Sequence, residues 1–150
     1  MSWSRQGGGG TERRGYHHGN LREALIEAAV SLIAAKGPAG FTIAEAARQA
    51  GVSPAAPYRH FRDADALLGE VALRGFERLE AALTRAWANG TPAPVPAFEA
   101  MGRAYLAFAR DEPAYYAAMF EAHVPREAAP GLQSAGDRAF AVLREAADRL

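Results

Sequence analysis

Residues 42–61, TIAEAARQAGVSPAAPYRHF, carry the signals of two short helices joined by a glycine turn, and no other stretch restricts the fold as much. Thr42 and Glu45 stand in capping-box spacing, where the hydroxyl and the carboxylate each satisfy an orphan backbone N–H. Gly51 predicts the stop of that helix. A second helix is predicted over residues 53–61, with Ser53 as N-cap and Pro54 at the first helical position, where a missing N–H costs nothing. Two short helices crossing steeply on a third form a helix-turn-helix, which projects its second helix into the DNA major groove.

The surrounding sequence supplies the third helix. Asn20 and Glu23 repeat the capping spacing, and Leu21, Leu25, Ala28, Ala29, Leu32 and Ile33 recur at three- and four-residue steps before Gly37-Pro38. Ile43, Ala46, Ala47, Val52 and Phe61 offer the apolar positions that pack on this stripe. Residues 1–19, with the run Gly7, Gly8, Gly9, Gly10, cannot bury a core and are expected to form a flexible arm. Asp63 predicts the N-cap of a long helix reaching about Asn89, with Leu67, Leu68, Val71, Phe76, Leu79 and Leu83 on one face. Residues 90–96 break it, and a fifth helix is predicted from about Ala97 to Arg110. Pro113 opens a sixth, residues 124–131 form a loop, and a last helix starts near Ser134. Its apolar positions run to Leu150 without a stop signal, so the chain is expected to end mid-helix. The fold class is therefore all-α: a three-helix head over 20–62, joined by a long helix to a helical body over 63–150.

Composition narrows the function. The 150 residues contain no cysteine, which removes disulfides, thiolate catalysis and cysteine zinc sites. No apolar run is long enough to span a bilayer and the N-terminus lacks the apolar core of a secretory signal, so cytoplasmic residence and no membrane partner are expected. Net charge is zero, but residues 1–62 hold eight basic against four acidic residues, whereas 63–150 hold nine against thirteen. A basic head on an acidic body suits a phosphate-facing module joined to a regulatory one. His17-His18 lacks helical metal-ligand spacing, the other histidines are isolated, and the glycine run lacks the Lys-Ser/Thr of a phosphate loop. No enzyme activity, metal or cofactor is expected, because acid, base and nucleophile nowhere cluster.

The motifs Gly40-Phe41-Thr42, Ala47, Gly51-Val52-Ser53 and Tyr58-Arg59-His60-Phe61, with RGYHHGNLREALIEAA before and Ala66-Leu67-Leu68 after them, resemble the N-terminal domain of a TetR-type transcriptional repressor. The segment YLAFARDEPAYYAAMF is similar to the C-terminal regulatory domain of one TetR subfamily. The resemblance implies an all-helical homodimer whose head binds a double-stranded DNA operator while the body binds a small effector. Two departures stand out. Ala64 occupies the position where the family often has a phosphate-gripping lysine, and the chain stops short of the two final helices that form the family's dimer bundle, so the 63–150 domain is expected to be C-terminally incomplete.

On this reading Pro54, Ala55 and Ala56 sit where base edges are read, with Ser53 at the helix start; they offer apolar contact, for instance with a thymine methyl, rather than bidentate hydrogen bonds. Tyr58, Arg59 and His60 suit phosphate oxygens, as does the Thr42 hydroxyl. Arg13, Arg14, His17 and His18 are candidate arm contacts, and Phe61 is assigned to the core. In the body, Trp87, Phe98, Met101, Tyr105, Phe108, Tyr115, Tyr116, Met119, Phe120, His123 and Phe140 are candidate lining for a pocket taking a small apolar or aromatic effector. The expected function is a one-component transcriptional regulator, a repressor, that binds a palindromic operator as a homodimer and is released by the effector. The alternative is a helical small-molecule binding or scaffolding protein with a degenerate helix-turn-helix.

Overall fold

In the computed structural model residues 20–150 are described, and they form six α-helices and two 3-10 turns with no strand among them. The helices are α1 (Leu21–Lys36), α2 (Ile43–Ala50), α3 (Ala64–Trp87), α4 (Pro94–Asp111), α5 (Pro113–Phe120) and α6 (Leu132–Ala147). The 3-10 turns are Ala56–Arg59 and Ala88–Gly90.

Local signals set most of the ends. Thr42 caps α2, its Oγ1 accepting the Glu45 N–H at 3.2 Å. The capping box is only half made, because the Glu45 carboxylate takes Lys36 Nζ at 3.0 Å and the Thr42 hydroxyl at 3.4 Å. Gly51 ends α2 at φ 74° and ψ 30°, a left-handed conformation that costs a residue without Cβ nothing. The N–H of Val52 then reaches back to the Ala47 carbonyl at 3.0 Å, which completes a Schellman-type stop. Asp63 caps α3 through Oδ1 and the Ala66 N–H at 2.9 Å.

Three sequence expectations are corrected at helix ends. Asn20 precedes α1 but makes no side-chain cap, and Glu23 turns instead to Arg74 on α3. Helix α4 starts at Pro94 rather than near Ala97, because proline in a first turn forfeits only an N–H that has no intrahelical partner. Helix α6 spans Leu132–Ala147, two residues earlier at its start than predicted and stopping before Leu150.

Helix α3 is the spine. Its 24 residues span about 36 Å at 1.5 Å per residue. It packs against α1 near its start and against α4, α5 and α6 over most of its length. Leu67, Val71, Leu79 and Leu83 on it are fully buried, each contributing roughly 1.5 to 3 kcal/mol by removal of apolar surface from water. Head and body share one continuous core: Leu25, Ile26, Ile33, Ile43 and Phe61 join the α3 residues and Met101, Phe108 and Tyr115 beyond them. Gly75 faces α5 closely: a Cβ there would lie 3.3 Å from the Tyr115 Cβ and would require the Met119 side chain to move.

Candidate functional site

The two helices of the head are followed by the element expected to read DNA, and its geometry differs from the prediction. No α-helix forms over 53–61; a four-residue 3-10 turn, Ala56–Arg59, takes its place. Pro57 explains the change. An α-helix would need an N–H at 57 to donate to the Ser53 carbonyl, and proline has none. That carbonyl instead accepts the Ala56 N–H at 3.1 Å, the Ala55 carbonyl accepts the Tyr58 N–H at 3.3 Å, and the chain tightens into i→i+3 bonding. The N-cap position of the turn falls to Ala55, which has no capping side chain, so the predicted N-cap role of Ser53 is corrected as well.

Pro57 is also the anchor, fully buried, with Phe61 at 3% exposure behind it as predicted for a core residue. The remainder faces outward. Ser53, Pro54 and Ala55 are exposed, Ala56 is half-buried, and Tyr58 is 60% exposed with Arg59 and His60 exposed beside it. The outward setting leaves the Tyr58 hydroxyl, the Arg59 guanidinium and the His60 imidazole accessible to solvent, as are Pro54 and Ala55 before them in the chain. Thr42 is exposed too, its hydroxyl shared with Glu45. The hydrogen bond from Lys36 is the largest influence on the Glu45 carboxyl and holds it below its ordinary 4.5. Arg13, Arg14, His17 and His18 lie outside the described residues.

In the body a cleft of about 280 Å³ opens between α3, α5, α6 and the loop preceding α6. Phe76, Phe120 and Phe140 form its aromatic wall, with ring centroids 5.6, 6.2 and 6.3 Å apart in edge-to-face arrangements that favour such pairs beyond simple burial. Met119, Ala72, Ala118, Val124 and Leu132 extend the apolar lining, and Arg126, Gln133 and Asp137 bring polar groups to it. A mostly apolar concavity with a few polar groups is the usual form of a small-molecule site.

Of the eleven residues predicted for a pocket, Met119, Phe120 and Phe140 line this cleft. Tyr116 backs it, its ring 4.9 Å from that of Phe120. Trp87, Met101, Phe108 and Tyr115 are core instead, and Phe98 and Tyr105 pack half-buried against that core. Burial raises the Tyr105 hydroxyl above its ordinary 10.0, and the neighbouring Tyr116 hydroxyl adds to the effect. His123 sits exposed after α5 at φ 54°. Phe76 belongs by its spacing to the core stripe, and nothing in the sequence marks it, Arg126, Gln133 or Asp137 as lining. Only the way α6 and its loop close over α3 brings these four together.

Residues 25–71 match the family model described as bacterial regulatory proteins, tetR family, and residues 98–150 match that of the tetracyclin repressor-like C-terminal domain. The chain belongs to the TetR family. Among solved structures this TetR-family chain is similar to a protein with unknown function from Rhodococcus sp. RHA1, at 38% identity and TM-score 0.70, over 89% of this chain and 71% of that one. It shares its fold with a TetR family transcription regulator from Marinobacter aquaeolei VT8, at 20% identity and TM-score 0.66, over 92% and 70% of the two chains. It likewise shares it with the TetR family transcriptional regulator PfmR from Thermus thermophilus, at 24% identity and TM-score 0.68, over 83% and 69%. No curated protein matches significantly. No helix among the described residues is long and apolar enough to cross a membrane. No group of three or more metal-ligating side chains gathers among them either. The described residues thus carry the all-helical TetR-family fold, with a 3-10 turn, Ala56–Arg59, following α2.

Proposed function

We propose that this protein is a one-component transcriptional repressor that binds a palindromic operator as a homodimer and is released by a small effector held in the cleft. In this reading residues 20–62 are the DNA-binding unit and 63–150 the regulatory one. One observation carries it: the cleft is built on the same helix that seats the head. Ala72 and Phe76 of α3 line the cleft, while Leu67 and Leu68, a few residues earlier, pack in the core with Phe61 and Ile43. A ligand wedged against Phe76 therefore acts directly on the helix that sets the position of the head. It shifts the equilibrium only as far as it binds the two conformations unequally. The three phenylalanines suit an apolar or aromatic effector, with Arg126, Gln133 and Asp137 available to a polar end.

The half-sites are expected about one helical turn, ~34 Å, apart or a multiple of it. The full chain is expected to bind duplex DNA from upstream of its own gene with an affinity that falls steeply with salt as phosphate contacts release counterions. A ligand retained through native purification and identified by mass spectrometry is expected to weaken that binding. The second reading, a helical small-molecule binding protein with a degenerate helix-turn-helix, draws support from Ala64 and from the shortened reading turn. Weak binding with little salt dependence, alongside tight binding of the retained ligand, would favour it.

A further inference from the structure

We infer that the head reads DNA through the C5-methyl groups of pyrimidines, with Pro54-Ala55-Ala56 as the reading edge; this rests on the DNA-binding reading above. The edge has almost no hydrogen-bond donors to offer. Pro54 and Pro57 carry no N–H, the Ala56 N–H is used by the Ser53 carbonyl and the Tyr58 N–H by the Ala55 carbonyl. Only the Ala55 N–H is left among the backbone donors of 54–58, and the side chains of 54, 55 and 56 have no polar atom.

What the edge does offer is a rigid, small, apolar surface. Pro54 and Ala55 are exposed, and the turn that carries them is held by fully buried Pro57. The two rings fix φ at their positions, so little freedom is lost on contact. Small side chains let this surface approach the floor of the major groove, where the one apolar group on any base pair is the thymine methyl. 5-Methylcytosine carries its methyl on the same ring carbon. An edge that contacts the methyl and makes no hydrogen bonds therefore treats thymine and 5-methylcytosine alike, and treats uracil and cytosine alike. Tyr58, Arg59 and His60 flank the edge with groups suited to phosphates, which set register without reading sequence.

The test uses the full chain and duplexes recovered from a random pool by repeated selection on it. Each thymine of the recovered half-site is replaced in turn by uracil, which removes the methyl and keeps the pairing pattern. At one or two positions the affinity is expected to fall about four-fold, the equivalent of one buried methyl. At those positions a 5-methylcytosine pair is expected to restore the affinity, and an unmethylated cytosine pair to leave the same four-fold loss. Ala55→Gly or Ala56→Gly, with folding verified by thermal melting, is expected to abolish the uracil penalty. Indifference to uracil at every position would overturn the inference while leaving DNA binding intact. So would a larger loss from 7-deazaguanine than from uracil, since that would show reading through purine acceptors. Failure to recover any duplex above background would overturn the DNA-binding reading itself, and the inference with it.

Discussion

Glu23 on α1 and Arg74 on α3, 51 residues apart in sequence, form a bidentate ion pair, with Arg74 Nη1 at 2.8 Å from one carboxylate oxygen and Nη2 donating to the other. One turn away Arg22 meets Glu70 at 3.1 Å, and further along α3 Arg78 meets Glu112 at 3.3 Å with its guanidinium 4.4 Å over the Tyr115 ring. The head is thus pinned to the spine by crossed charges, and the spine to the start of α5 by a third pair.

Glu23→Gln is expected to lower stability by about 0.5 to 1 kcal/mol, the upper part of the range for exposed pairs, because both side chains remain partly solvated. The hydrogen bond from Arg74 is the main cause that holds the Glu23 carboxyl below its ordinary 4.5, partial burial opposing it. A depressed carboxylate contributes stability that is present in full above 4.5 and lost as pH falls through the lowered value. The difference in thermal midpoint between parent and variant should therefore shrink below pH 4.5 and also shrink at high salt.

Capping separates Thr42 and Asp63 from Ser53. Thr42→Ala and Asp63→Ala each remove an observed side-chain bond to a helix N–H and should cost about 1 kcal/mol in chemical denaturation. Ser53→Ala removes no cap and should stay within about 0.5 kcal/mol of the parent.

Pro57→Ala restores the N–H whose absence tightens the Ala56–Arg59 turn. An amide at 57 is expected to donate to the Ser53 carbonyl and convert the 3-10 turn toward α-helix, visible as slowed hydrogen exchange at that amide. Stability should nonetheless fall by about 2 kcal/mol, because two buried ring carbons are lost and the unfolded chain regains freedom.

Gly136 lines the cleft, and a Cβ there would make only ordinary contact with the Phe76 ring, at 3.8 Å. Gly136→Leu should fill the cleft from a helical position where leucine is favoured over glycine by up to about 1 kcal/mol. The melting temperature is expected to hold or rise, while binding of an apolar fluorescent dye to the cleft falls more than ten-fold. Unchanged dye binding would remove the cleft from consideration as the effector site.

What short-range chemistry controls was legible in the chain alone. Thr42 and Asp63 marked their helix starts because a side-chain oxygen reaches an N–H three residues on. Gly51 marked a stop because glycine takes the left-handed turn freely, and Pro113 opened a helix because a first turn needs no N–H there. The all-α class followed from periodicity, which depends only on how a helix must present its apolar face. The packing of distant elements settled the rest. Asn20 and Glu23 fit a capping box equally well, yet Arg74 offers Glu23 a bidentate partner that no local pattern contains. The missing N–H of Pro57, which tightens the turn, was in plain sight in the chain, but that its ring is fully buried and anchors the turn in the core is a matter of packing. An aromatic stripe states that one face is apolar and not what covers it: Met101 and Phe108 met core, while Phe120 and Phe140 met a gap that α6 leaves over Phe76. Burial is a relation between elements distant in the chain, so only their packing distinguishes a core residue from a cleft wall.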